Sequence, residues 1–252
     1  MIVEKIQFYN TLNQRLFGKI YKSEKETDVG VVFSHGLFSN KDGYKITRLA
    51  PDIVSSGQTL LTFDFSFSGE SGGNISDISL TQEVDDLACA VEYFKSLGIG
   101  TLHLMGSSMG ALVSLLYASR RSTAITSLIL IAAPVDIKAV FRSDSVVAGI
   151  DSYPESSSTT IDDVPIKNSF FMELYNLNMP DALKKIDAPA LIIHGGRDAV
   201  VDPYNVDILE KYLVKSPKKV IIKDGDHSLT RDSDLEILSE AIVSWLKKFK
   251  KQ

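Results

Sequence analysis

Three residues of this chain combine the types and the order that nucleophilic catalysis needs: Ser108, Asp198 and His227. Ser108 lies in Gly106-Ser107-Ser108-Met109-Gly110, a G-x-S-x-G pentapeptide. A serine hydroxyl attacks a carbonyl only when a base takes its proton and the backbone presents Oγ on a sharp turn, and the two glycines leave room for that turn. The pentapeptide alone is a weak signal. Its setting strengthens it: Thr101-Leu102-His103-Leu104-Met105 reads as a buried strand before it, and Ala111-Leu112-Val113 as a helix after it. His227 follows a short β-branched run and a turn, and would take the Ser108 proton. Asp198 follows Ala190-Leu191-Ile192-Ile193-His194 and Gly195-Gly196, and would hold the other ring nitrogen in the productive tautomer.

The rival acids and histidines read differently. Asp202 precedes Pro203, the signature of a helix N-cap, so Asp198 is favoured as the acid. His103 alternates within a strand pattern and His194 closes one, which marks both as hydrogen-bonded core residues. Asp136, just past a strand, reads equally as a substrate contact or as a turn carboxylate. Cys89 is the chain's one cysteine, which excludes an intramolecular disulfide, and its neighbours Asp85, Asp86 and Glu92 disfavour a thiolate. No His/Asp/Glu cluster has metal-ligand spacing and no Gly-rich loop has the dinucleotide fingerprint, so neither a cofactor nor a metal is expected.

Strands and helices alternate along the chain, which predicts an α/β fold with a mostly parallel sheet covered on both faces. Two early strands, Ile2 to Tyr9 and Gln14 to Tyr21, form an expected antiparallel edge hairpin. Gly30 to Ser34, Thr59 to Phe63, Thr101 to Met105, Ser127 to Ala132, Ala190 to His194 and Lys218 to Ile222 complete eight strands. Ser79-Leu80-Thr81-Gln82 has the spacing of a capping box, and Leu235, Leu238, Ile242, Trp245, Leu246 and Phe249 repeat at helical spacing. Between Asp136 and Asp187 the alternation breaks. That stretch is rich in aromatics, which argues against disorder. Its Ser156-Ser157-Ser158-Thr159-Thr160 tract reads as a flexible loop.

The elbow, the Ser…Asp…His chain order and Phe33-Ser34-His35-Gly36-Leu37-Phe38 together resemble serine esterases of the α/β-hydrolase superfamily, in the feruloyl (cinnamoyl) esterase and monoacylglycerol lipase group. The resemblance spans nearly the whole chain. It implies an α/β-hydrolase fold, an oxyanion hole made of the backbone N–H groups of Leu37 and Met109, and a structural role for His35. Asp64-Phe65-Ser66-Phe67-Ser68-Gly69-Glu70-Ser71 resembles the family's D-x-x-G-x-G-x-S loop, but Phe67 stands at the first glycine and Ser68 at a common histidine. Phe67 is therefore a candidate to line the substrate pocket. The resemblance also makes 137–186 a small cap inserted into a core of 1–136 and 187–252. Phe141, Tyr153, Phe170, Phe171 and Tyr175 then join Asp136 as candidate substrate contacts, with a plain packing subdomain as the alternative. The serine at the elbow disfavours branches of the fold that use aspartate or cysteine there.

The expected function is hydrolysis of short to medium acyl or aryl esters, hydroxycinnamoyl esters included, through an acyl-enzyme. A monoacylglycerol lipase, a thioesterase or a serine peptidase on the same triad stays open, as does a catalytically silent binding protein, because fold does not set substrate. With 252 residues, 44% hydrophobic and 23% charged, and a net charge of −5, the chain suits one large domain and gives no electrostatic reason to expect nucleic acid. The opening Met1-Ile2-Val3-Glu4-Lys5 lacks a basic n-region, and the longest apolar run falls far short of the ~20 residues that span a bilayer. A cytoplasmic monomer or homodimer acting on a small-molecule ester, with no stable membrane association, is expected.

Overall fold

The computed structural model describes residues 1–121, 124–140, 157–161 and 163–249. Eight strands form one sheet: β1 (Ile2–Tyr9), β2 (Arg15–Lys22), β3 (Val29–Ser34), β4 (Thr59–Phe63), β5 (Thr101–Ser107), β6 (Ser127–Ile131), β9 (Ala190–Gly195) and β10 (Lys218–Ile222). Their order is β1-β2-β4-β3-β5-β6-β9-β10. The β1/β2 hairpin is antiparallel and lies at one edge, as its sequence predicts, and β3, β4, β5, β6, β9 and β10 run parallel to one another. The parallel strands β3, β4, β5, β6 and β9 were legible because they are buried on both faces, so each is a near-continuous apolar run, whereas the edge strand β10 is largely exposed.

Successive residues point to opposite faces, and the two cores follow that alternation. Val32, Leu104, Leu128, Leu130 and Ile192 enter one cluster, against α2 (Leu80–Ser96) and α3 (Met109–Arg120). Val31, Phe33, Met105, Ile129, Ile131, Leu191 and Ile193 enter the other, against α1 (Tyr44–Ser55) and α8 (Asp232–Leu246). Tying the faces to the far helix, Trp245 Nε1–H donates to Ser127 Oγ at 2.9 Å, and His103 Nδ1 meets the same oxygen at 2.8 Å. Burial pushes the His103 pKa down to about 4, in keeping with a neutral core residue.

Within 137–186 the described elements are α4 (Ile137–Val140), β7 (Ser158–Ile161), β8 (Val164–Lys167), α5 (Asn168–Tyr175) and α6 (Met179–Leu183). Two expectations are corrected here. Ser158, Thr159 and Thr160 form a strand paired antiparallel with β8, where the serine/threonine composition had suggested a flexible loop. Phe170 and Phe171 are 0% and 2% exposed, and with Leu174, Met179 and Leu183 they belong to the same apolar cluster as α2 and α3. They pack onto the core and present no face to a ligand. The capping box at Ser79 is also completed from this stretch. Ser79 Oγ caps the Gln82 N–H at 3.3 Å, but the carboxylate that answers the helix N-terminus is Glu173 of α5, accepting from Ser79 Oγ at 2.9 Å and the Thr81 N–H at 2.7 Å. Gln82 turns instead to Asp86, donating at 2.8 Å.

Glu83 on α2 is 2% exposed, and its Oε2 has no hydrogen-bond partner among the described residues. Burial, with Asp86 and Glu173 nearby, pushes its pKa up to about 8. The native state therefore holds a proton that the unfolded chain releases near 4.5. Its contribution to stability is complete below that value and is lost as pH rises to about 8. Glu83→Gln removes this dependence, so the melting temperature of the variant should gain on the wild type between pH 5 and pH 9. A gap that stays constant across that range would show Glu83 to be ionised in the fold.

Candidate active site

The elbow is built by close approach. Ser108 joins β5 to α3 with φ 53° and ψ −121°, a region that side chains rarely enter. Its N–H donates to Ile131 O at 2.8 Å, and its carbonyl accepts from the Ala111 N–H at 2.9 Å. A Cβ on Gly106 would lie 2.3 Å from Gly110 O, and a Cβ on Gly110 would lie 2.1 Å from Ser34 O. The G-x-S-x-G pattern is thus a packing requirement, with α3 pressed against the end of β3. Gly110→Ala should cost about 1–3 kcal/mol or more by overpacking against rigid backbone, read as a lowered urea midpoint. A midpoint equal to wild type would mean that the contact relaxes freely.

The three residues singled out in the sequence meet. Ser108 Oγ lies 3.0 Å from His227 Nε2, and His227 Nδ1 lies 2.8 Å from Asp198 Oδ2. Asp198, on the loop after β9, accepts from the Val200 and Val201 N–H groups at 2.9 and 2.8 Å through Oδ1. His194 Nε2 sits 2.8 Å from Val201 O and 3.3 Å from Asp198 Oδ2. Because a carbonyl oxygen only accepts, that nitrogen carries the proton and points it at both oxygens. Burial alone would raise the Asp198 carboxyl, but the hydrogen bonds from His194, His227 and the Val201 N–H hold it well below the usual carboxylate range. Asp198 is therefore an anion with four donors around it, positioned to stabilise an imidazolium at His227.

The surrounding turns sort the remaining expectations. A Cβ on Gly36 would lie 3.4 Å from Ser108 Cβ and 4.0 Å from its Oγ, so the His35-Gly36-Leu37 turn abuts the serine. The Phe65 N–H donates to His35 Nε2 at 3.2 Å, which makes Nδ1 the protonated nitrogen, donating to Gly36 O at 2.8 Å. Met109 opens α3, where the first N–H groups have no intrahelical acceptor. Asp202 is a turn residue, as its Pro203 suggested: its Oδ1 accepts from the Tyr204 N–H at 2.8 Å, ahead of α7 (Asn205–Tyr212).

A pocket of about 240 Å³ opens beside Ser108 and His227, lined also by Leu37, Tyr44, Lys45, Ser107 and Thr230. None of the described residues that the sequence proposes as substrate contacts, Phe67, Asp136, Phe170, Phe171 and Tyr175, lines it. Phe67 adopts a left-handed conformation at φ 72°, and its ring lies over Gly73, where a Cβ would be 2.3 Å from Cδ1. Asp136 accepts from the Ala139 N–H at 3.2 Å, the turn reading. Asp136 and Tyr175 line a second cavity of about 390 Å³ between α5 and α7, where Lys138 Nζ stands 4.4 Å over the Tyr175 ring. Phe141 and Tyr153 lie outside the described residues. In the other direction, sequence reasoning missed Lys45. Its Nζ donates to Ser107 Oγ at 3.0 Å, and burial lowers its pKa to about 8 against the pull of Asp198 and Asp226. No spacing rule connects a first-turn lysine of α1 to an elbow 62 residues later. Among the described residues no group of three or more His, Cys, Asp or Glu is arranged to hold a metal ion, and no helix is long and apolar enough to cross a membrane.

Comparison with known proteins agrees with the fold. Residues 30–162 match a family described as alpha/beta hydrolase fold. The chain is 26% identical over 235 residues to the rat protein "Palmitoyl-protein thioesterase ABHD10, mitochondrial", covering 86% of this chain and 75% of that one. It is 25% identical over 269 residues to a monkeypox virus "Monoglyceride lipase homolog", covering 94% and 96%. Among solved structures, Est1E from Butyrivibrio proteoclasticus with bound ferulic acid superposes with a TM-score of 0.86 at 20% identity, covering 96% of this chain and 98% of that one. At that identity the likeness speaks for the fold alone.

Proposed function

We infer the chemistry from one premise: the chain belongs to the alpha/beta hydrolase fold family. We propose that it is a serine hydrolase of carboxylic esters, with Ser108 as nucleophile, His227 as general base and acid, and Asp198 as the orienting carboxylate. The observation that carries this is the unbroken hydrogen-bonded chain from Ser108 Oγ through His227 to Asp198. Ser108 Oγ attacks the carbonyl carbon while its proton passes to His227 Nε2. The N–H groups of Leu37 and Met109 receive the oxyanion, a contribution worth a few kcal/mol of barrier that needs no particular side chain. The imidazolium then protonates the leaving group, and water, deprotonated by His227, releases the acid and regenerates Ser108.

The pocket beside the serine, about 240 Å³, favours short to medium acyl or aryl esters over long chains, since it is smaller than the clefts of about 300–1,000 Å³ that take drug-sized ligands. A thioesterase is the second reading, favoured by the activity for which the rat relative is named. Both use the same acyl-enzyme. The test is fluorophosphonate labelling of the full chain, followed by kcat/KM across p-nitrophenyl esters from acetate to palmitate, methyl hydroxycinnamates, and acyl thioesters of matched length. Labelling with a maximum at the shorter oxoesters is expected. A thioester preference at every length would make it a thioesterase, strong activation by long-chain lipid interfaces would make it a lipase, and no labelling with no turnover would leave a binding protein.

A further inference from the structure

Among the described residues Lys45 is the one lysine that lines the pocket beside Ser108, and its setting differs from that of the buried Lys41 near it. Lys41, 4% exposed, is satisfied inside the protein: its Nζ reaches Asp64 Oδ2 at 2.9 Å and Glu70 Oε2 at 2.5 Å. Lys45 has no such partner. Among the described residues its Nζ pairs with no carboxylate, and one of its three donors goes to Ser107 Oγ at 3.0 Å. The acids that act on it from a distance are engaged elsewhere: Asp198 with His227, His194 and two backbone N–H groups, and Asp226 with the Leu229 N–H at 2.9 Å. Taking an ammonium partly out of water without an ion pair is unfavourable in the free protein, as its lowered pKa of about 8 records.

The helix that carries Lys45 adds to the same potential. The first turn of α1 holds no acidic residue, and Gly43, at its N-cap, supplies no side-chain cap. Gly43, Tyr44 and Lys45 all line the pocket, so the positive end of the helix dipole and an unpaired ammonium converge on one small cavity. Ser107, which holds the ammonium, is the residue before the nucleophile, ~3.8 Å along the chain at Cα.

We propose that Lys45 is a specificity residue that binds a carboxylate on the substrate, so that the preferred substrates are small esters carrying a free carboxylate a few carbons from the scissile carbonyl. This rests on the serine hydrolase reading of the same site. The pocket's volume of about 240 Å³ accommodates a short dicarboxylate half-ester, and the anion supplies the charge that Lys45 lacks in the free protein.

The experiment compares kcat/KM for monoethyl glutarate and ethyl pentanoate, which differ only by a terminal carboxylate in place of a methyl group. In Lys45→Met, the ratio of the charged to the neutral ester should fall roughly ten- to hundred-fold, the size of a lost charged hydrogen bond. Lys45→Arg should restore most of it, which a merely structural lysine would not require. Lys45→Gln provides the same loss of charge should the methionine variant misfold, and fluorophosphonate labelling reports that each variant keeps a competent serine. An unchanged ratio in a labelled Lys45→Met or Lys45→Gln protein would overturn the inference and leave the hydrolase reading standing. A wild type that neither labels nor turns over ethyl pentanoate would remove both.

Discussion

Ser108→Ala is expected to lower ester kcat by on the order of 10⁶ and to abolish fluorophosphonate labelling, while the far-UV spectrum and melting temperature stay near wild type. The activity is lost because no oxygen remains at the end of the chain that runs through His227 to Asp198. The fold survives because alanine also has a Cβ, so the strained backbone of φ 53° costs the variant what it costs the parent. Ser107→Ala is the internal control. Its hydroxyl serves Lys45 and not His227, so this variant should still label. If labelling disappeared from Ser107→Ala and persisted in Ser108→Ala, the nucleophile would be the neighbouring residue.

Asp198→Asn should lower kcat by about 10⁴, the scale seen when a triad histidine is held in the wrong tautomer. Four donors converge on this carboxylate: the Val200 and Val201 N–H groups on Oδ1, and the His227 and His194 rings on Oδ2. An asparagine has one acceptor oxygen. If that oxygen keeps the two backbone N–H groups, its NH₂ faces two imidazole N–H donors, and His227 can satisfy it only by making Nδ1 the acceptor. Nε2 then carries a proton toward Ser108 and cannot serve as the base. Asp202→Asn is the contrasting variant. Asp202 Oδ1 accepts a single N–H, from Tyr204, which an amide oxygen accepts equally well. Its effect should stay within about 1 kcal/mol of stability, with turnover preserved. A severe loss in Asp202→Asn beside a mild one in Asp198→Asn would move the acid role to Asp202.

Stability at low pH should follow the same carboxylate. Its folded pKa is depressed, so its contribution is present above the ordinary aspartate range and is lost as pH falls through the depressed value. Asp198→Asn should flatten that acid limb of the unfolding profile.

How much of this was legible in the chain divides along a physical line. Strand positions could be read where burial on two faces writes itself as a short apolar run, as at Thr59–Phe63, while the largely exposed edge strand Lys218–Ile222 showed only through its β-branched residues. Ser108, Asp198 and His227 could be nominated because each follows such a run at a turn, and parallel strands deliver their following loops to one end of the sheet. The meeting of those loops depends on β5, β6, β9 and β10 lying side by side, which no local pattern states. Phe170 and Phe171 show the limit of composition. The hydrophobic effect is non-directional, so an aromatic in the chain reads alike whether it fills a core or faces a ligand, and only the packing of α5 against α2 decides for the core. Lys45 shows the converse. A lysine on a helix reads as solvated surface until the fold lays α1 beside the elbow, and the 3.0 Å contact with Ser107 comes from a long-range approach that sequence spacing does not encode.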